Sequence, residues 1–195
     1  MKWMSWLALL SSMLMLVGCA SPSAPANRYM LPESATAPAG GSAGAGHLLI
    51  VQSPRLAHYL DVDGIVLQLD DISLNAARQH LWAEPLGRQL ERGLRARLAE
   101  HLPDTRVMRE EASLGRSEAL RLRLEVERFQ GRYDGLAITS GQWQLLAADG
   151  RLLAMERFHV EAELADDGYP ALVRALGNSW DQVASEIATG IRLHR

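Results

Sequence analysis

The segment Leu120-Arg121-Leu122-Arg123-Leu124-Glu125-Val126-Glu127 alternates apolar and charged residues without a miss. A period of two is the strand period, and this pattern describes a strand with a core on one side and water on the other. A chain that contains it must build a sheet and cover one face. Residues 136–146 and 153–164 read as the next two strands, joined through Ala148-Asp149-Gly150-Arg151, a hairpin turn whose glycine tolerates positive φ. An antiparallel meander is the expected arrangement. Upstream, residues 48–51, 64–69 and 74–79 add shorter strand signals, the first ended by Ser53-Pro54.

Two amphipathic segments can supply the cover. Over residues 82–102, Trp82, Leu86, Leu90, Leu94 and Leu98 recur at a helical interval, with Pro85 in the first turn and Pro103 at the end. Arg88, Glu91, Arg92, Arg95 and Arg97 occupy the other faces and read as a solvated surface. From Tyr169-Pro170 onward, Leu172, Val173, Leu176, Trp180, Val183, Ile187 and Ile191 form a second stripe, and Asp166 and Asp167 sit near its positive N-terminal end. The order of strands, helix, strands, helix predicts an α+β fold of two layers, a mostly antiparallel sheet covered on one face by two helices.

The N-terminus carries a different signal. Lys2 precedes an apolar run from Trp3 to Val17 that is too short for a permanent span, the layout of a secretory signal peptide. The run ends in Leu16-Val17-Gly18-Cys19, which resembles the lipobox of bacterial lipoprotein precursors, where the cysteine is acylated and the chain is cut before it. Cys19 is therefore the expected lipid-attachment residue, and several acyl chains on one residue give near-permanent anchoring. It is also the only cysteine, so stability must come from the core. Ala20, in place of an inner-membrane-retaining aspartate, agrees with outer-membrane sorting as known for lipoproteins. The expected organisation is a signal peptide over 1–18, a lipidated cysteine and flexible linker over 19–46, and one domain over 47–195. The linker is rich in Ala, Ser, Pro and Gly, and its one interruption, Arg28-Tyr29-Met30-Leu31-Pro32, reads as an edge strand that docks on the domain. A flexible chain of this length spans about 30 Å.

Removing residues 1–18 takes away only Lys2 and moves the formal net charge from −3 to −4. With no basic block, nucleic acid is not an expected partner. Asp61 and Asp63 open like a calcium loop, but the remaining ligand positions are missing, so the segment reads as a turn. The glycine cluster at 40–46 follows no strand and fails the spacing of a dinucleotide loop. Six scattered histidines, and no nucleophile elbow, phosphate loop or paired-cysteine motif, point to a non-enzyme without cofactor or metal.

Tyr29-Met30-Leu31-Pro32, Tyr59-Leu60-Asp61 with Gly64-Ile65-Val66, and Leu81-Trp82-Ala83-Glu84-Pro85-Leu86 together resemble the PqiC/YmbA family, the auxiliary lipoproteins of the Pqi transport system. A strand around Phe158 and a closing helix after a tyrosine extend the likeness to nearly the whole mature chain. Leu81 departs from the family pattern, which has an arginine there. The resemblance implies an outer-membrane lipoprotein that works with an MCE-type periplasm-spanning protein and its inner-membrane partner to move lipid, and that assembles as a homo-oligomeric ring. Trp82 and Glu84 are the candidates for partner docking. Trp82 reads first as a staple of helix on sheet, and Glu84 equally as a residue favoured by the helix dipole or as one that pairs with a partner subunit. An envelope scaffold independent of lipid transport is the other reading that the residues leave open.

Overall fold

The structure, a computed structural model, describes residues 25–33, 46–110 and 118–194. In chain order these form strands β1 (Asn27–Tyr29), β2 (His47–Val51), β3 (Arg55–Leu56), β4 (Gly64–Gln68) and β5 (Leu74–Trp82), helix α1 (Leu86–His101), strands β6 (Thr105–Arg109), β7 (Leu120–Arg132), β8 (Leu136–Leu146) and β9 (Leu152–Glu163), and helix α2 (Tyr169–Leu193). The signal segment, Cys19 and most of the expected linker lie outside the described residues. No helix among the described residues is long and apolar enough to cross a membrane.

The alternating segment is the spine of the sheet. Along one edge β7 pairs in turn with β2, β3 and β4, all parallel, and along the other with β8, antiparallel, which pairs with β9. β4 continues to β5 and β1, and β2 continues to β6. The meander of β7, β8 and β9 is as expected, closed by Gly150 at φ 87° with the Ala147 amide donating to the Arg151 carbonyl at 2.9 Å. The upstream strands make the whole sheet mixed. Alternation records which face is buried and says nothing of direction, and α1 lies in the crossovers that join β2, β3 and β4 to their parallel partners β6 and β7.

Three further differences have local causes. β6 is too short and too near the sheet edge to show a clear period. Trp82 ends β5 rather than opening the helix, which starts at Leu86 with Pro85 as its N-cap. β7 carries a bulge between Val126 and Arg128, so its inward residues shift from Leu122, Leu124 and Val126 to Phe129 and Gly131.

α2 lies on β7, β8 and β9, and α1 packs on α2 and β6. Both stripes are buried as their spacing predicts: Leu86, Leu90, Leu94 and Leu98 on α1, and Leu172, Leu176, Trp180, Val183, Ile187 and Ile191 on α2, share one core. An aromatic chain runs through it, from Trp82 to Phe129 (6.3 Å between centroids), to Trp180 (6.0 Å, edge-on), to Phe158 (6.4 Å). Leu90 is fully buried at the meeting of the two helices. Leu90→Ala is expected to cost about 2–5 kcal/mol, and Leu152→Ala, half-exposed, to change stability by at most about 0.5 kcal/mol, both read from chemical denaturation midpoints.

Candidate functional site

Two of the three motifs that carry the family likeness, at residues 29–32 and 81–86, lie about fifty residues apart and meet in space. β1 adds to the outer edge of β5 with Asn27, Arg28 and Tyr29 opposite His80, Leu81 and Trp82. The Ala83 amide donates to the Tyr29 carbonyl at 2.8 Å, and an Arg28 guanidinium nitrogen lies 3.4 Å from the Trp82 carbonyl. Of residues 28–32, expected to dock as an edge strand, Arg28 and Tyr29 do so together with Asn27, so the folded body begins at Asn27, before the expected boundary at Gly46.

Beyond the strand, Leu31 and Pro32 run across α1 and α2 as a strap. Leu31 is buried, and its amide donates to Gln89 Oε1 at 2.8 Å, while Gln89 Nε2 donates to the Glu84 carbonyl at 3.0 Å. One side chain, itself 2% exposed, therefore joins the strap to the β5–α1 turn. Arg97 is the second tie. Its guanidinium donates to the Pro32 carbonyl at 3.1 Å and the Gly93 carbonyl at 3.2 Å, and pairs with Asp181 on α2. Gly177 makes room for Pro32, because a Cβ there would stand 2.8 Å from the proline ring. Tyr29 reaches the other way: its hydroxyl lies 2.9 Å from His80 Nδ1, and the His80 ring stacks on Tyr169 at 3.9 Å. Burial pushes the Tyr169 hydroxyl pKa up.

This geometry corrects the reading of α1's polar face. Arg97 and Glu91 are buried ties rather than solvated charges. Glu91 accepts from Ser53 Oγ at 2.6 Å and from Arg109 Nε at 3.0 Å, which pins α1 to the loop after β2 and to the end of β6. Helical spacing separates apolar from polar faces but cannot show that a neighbouring element will cover part of the polar one. A buried carbonyl such as that of Pro32 demands a donor, and a guanidinium with five N–H groups serves several acceptors at once.

The two docking candidates part company. Trp82 is 3% exposed and packs on Phe129, so its ring is a core residue without a surface to offer a partner. Glu84 is accessible and forms an ion pair with Arg92, whose hydrogen bond holds the carboxyl below its ordinary pKa. The carboxylate is therefore charged at neutral pH, and the pair is lost only as the pH falls through that lowered value. Leu81 pairs with Arg28 across the β1–β5 ladder. Tyr59, from the third motif, places its hydroxyl 2.7 Å from both the Glu127 carbonyl and Gln130 Oε1, and burial raises its pKa. Cys19 lies outside the described residues. Among the described residues, no group of three or more His, Cys, Asp or Glu is placed to hold a metal ion.

The chain matches the model of the ABC-type transport auxiliary lipoprotein component family over residues 29–188, a span that opens in the strap. It is similar to the intermembrane transport lipoprotein PqiC of Escherichia coli, 35% identical over 187 residues that cover 96% of this chain and 97% of that one. The PqiC of Shigella flexneri shows the same identity and coverage. Among solved structures, an uncharacterized protein 33% identical to this chain superposes with a TM-score of 0.74, covering 86% of this chain and 99% of the other. A Xanthomonas campestris protein at 23% identity shares the fold, with a TM-score of 0.69 and coverage of 87% and 96%.

The strap's ties make a direct expectation. Gln89→Leu leaves the buried Leu31 amide without its acceptor, at a cost of about 1–3 kcal/mol. Hydrogen exchange at the Leu31 amide should then quicken by about tenfold or more, with a much smaller change at amides in the middle of β7.

Proposed function

The chain belongs to the ABC-type transport auxiliary lipoprotein family, and from that premise we propose that it is the outer-membrane-anchored lipoprotein subunit of an intermembrane transport system that moves lipid. The observation that carries the reading is the 35% identity to an intermembrane transport lipoprotein over 96% of the chain, nearly end to end in both proteins. Cys19 is the lipid-attachment residue in this reading, supported by the Leu16-Val17-Gly18-Cys19 motif. The protein works by docking, not by catalysis: it joins a periplasm-spanning MCE-type protein, itself held by an inner-membrane partner, and assembles with its own copies in a ring. Glu84 is the docking residue, offering a charged carboxylate beside Arg92 at the outer end of β5, with Trp82 supporting the turn from beneath.

The strap sharpens the division of labour. Because β1 is paired to β5, only residues 20–26 separate Cys19 from the folded body, and at full extension that chain reaches about 28 Å at most. The domain then stays beside its own membrane, and a partner rooted in the opposite membrane must do the spanning.

Cys19→Ser is expected to abolish acyl labelling and membrane retention, checked by fractionation of the envelope. Deleting the protein, or severing its anchor, is expected to weaken the outer-membrane barrier to detergents only in cells that also express the MCE-type partner. The same defect in cells lacking that partner would sink the transport reading and leave the scaffold reading in its place.

A further inference from the structure

The hairpin between β4 and β5 reaches past the core, and five of the first six residues of β5 are exposed or nearly so, whichever face they occupy. Its turn is well fixed: the Leu69 amide donates to the Ser73 carbonyl at 2.9 Å, and the Asp70 carboxylate accepts from the amides of Ile72 and Ser73 at 2.9 and 2.7 Å. Held this way, its apolar side chains face solvent, with Leu69 54%, Ile72 87% and Leu74 45% exposed. Gln68 pairs in parallel with Arg132, which brings the β7–β8 turn alongside. There Tyr133 is 63% exposed. Four large apolar side chains thus share one end of the sheet, where scattered single ones would need no explanation. The charges around them are not those of a site for anions, since Asp70, Asp71 and Asp134 stand there and Arg132 is occupied by Asp134 and Glu161.

The direction of β1 says what meets this end. β1 runs parallel to β5 with Asn27 opposite His80, so the chain that precedes Asn27 leaves toward the start of β5, which is the apolar tip. From Asn27 back to Cys19 is eight residues, and from His80 back to Ile72 is also eight. At about 3.3 Å per residue each path is about 26 Å long, so the expected anchor can lie level with the tip. The opposite end of the sheet is disfavoured, because β7 is 13 residues long, about 40 Å, and the exit points away from that end.

We propose that Leu69, Ile72, Leu74 and Tyr133 form a membrane-contacting tip that rests in the phospholipid surface holding the acyl chains of Cys19. The inference rests on the anchor reading above. The tip adheres by apolar insertion at the headgroup boundary, without selecting anionic lipid, and together with the anchor it fixes which way the domain faces.

The test uses the full-length acylated protein in vesicles of phosphatidylethanolamine and phosphatidylcholine. Because Cys19 carries the acyl chains, a cysteine placed at Ile72, Tyr133 or Leu152 is the single free thiol for an environment-sensitive fluorophore. Lipid-borne quenchers are expected to quench labelled Ile72→Cys and Tyr133→Cys severalfold more than labelled Leu152→Cys, which is half-exposed at the far end of the sheet. The contrast should survive high salt and dilution of the protein in lipid. Equal quenching at all three sites, or quenching lost at high salt, would overturn the proposal. So would label-to-label energy transfer at position 72 without lipid quenching, which would assign the tip to a second copy. Mass measurement of the same preparation separates the two readings: an unacylated Cys19 overturns anchor and tip together, whereas an acylated protein with an unquenched tip overturns the tip alone.

Discussion

The indole of Trp180 is the contact on which the two layers depend. It is fully buried, meets Phe129 of β7 and Phe158 of β9 edge-on, and donates its Nε1 hydrogen to the Leu90 carbonyl of α1 at 3.2 Å. One side chain therefore joins α2 to the sheet on one side and to α1 on the other. Without a disulfide, the order of the layers rests on such burial alone, and a large aromatic contributes most per residue. Its N–H must find a partner when buried, and the Leu90 carbonyl, on a helix crossing close above it, satisfies that demand. Small residues frame the arrangement: the Cβ that Gly93 lacks would stand 3.6 Å from the Trp180 ring and 2.8 Å from the Arg97 guanidinium.

Arg97 carries the second constraint outward, from the helix pair to the chain that precedes the domain. A guanidinium at 2% exposure is tolerable only if its donors are occupied, and here they serve Asp181, Gly93 and Pro32. Since Asp181 is half-exposed, the tie behaves less as a buried ion pair than as a clamp on backbone carbonyls. Its physical result is that the strap belongs to the folded body. The same holds at the other end of the strap, where Tyr29, His80 and Tyr169 form a stacked series across β1, β5 and the start of α2.

What the sequence made legible follows from what periodicity encodes. The wet and buried faces of β7, the two helical stripes and the Gly150 turn were readable because each depends on residues within one or two turns of chain. Strand direction was not, because Leu49, Ile50 and Val51 pair with β7 through contacts seventy residues away, and an apolar run looks the same in a parallel or antiparallel ladder. Trp82 was placed on the helix because its spacing to Leu86 is helical, yet Pro85 cannot extend a helix backward and the ladder to Gly64 and Tyr29 holds the preceding residues extended. The buried roles of Gln89, Glu91 and Arg97 were hidden for a related reason: each is polar on an otherwise solvated face, and only the strap, the loop at Ser53 and the end of β6 bury them. The one signal that did reach across the chain was the joint occurrence of the Tyr29-Met30-Leu31-Pro32 and Trp82-Ala83-Glu84-Pro85-Leu86 motifs, which turn out to be two sides of a single seam.

That seam changes the mechanical meaning of the N-terminal chain. A free linker over residues 20–46 would let a domain wander about 30 Å from its anchor, with its orientation averaged out. With the chain held at Asn27 by β pairing, at Leu31 by Gln89 and at Pro32 by Arg97, the stretch between the proposed anchor and the fold shortens to residues 20–26, and a pull on that anchor passes into β5 and α1. The direction in which the chain leaves the domain then becomes a property of the fold. On the proposed anchor at Cys19, the end of the sheet bearing the β4–β5 hairpin faces the membrane, and the polar cleft lined by Gln52, Arg55, Arg123, Glu125 and Gln142 lies toward the other end of β7, away from it. On the same proposed reading, a partner coming from the side away from the anchor meets this hydrogen-bonded, mixed-charge surface, while Leu69, Ile72, Leu74 and Tyr133 lie on the anchor's side.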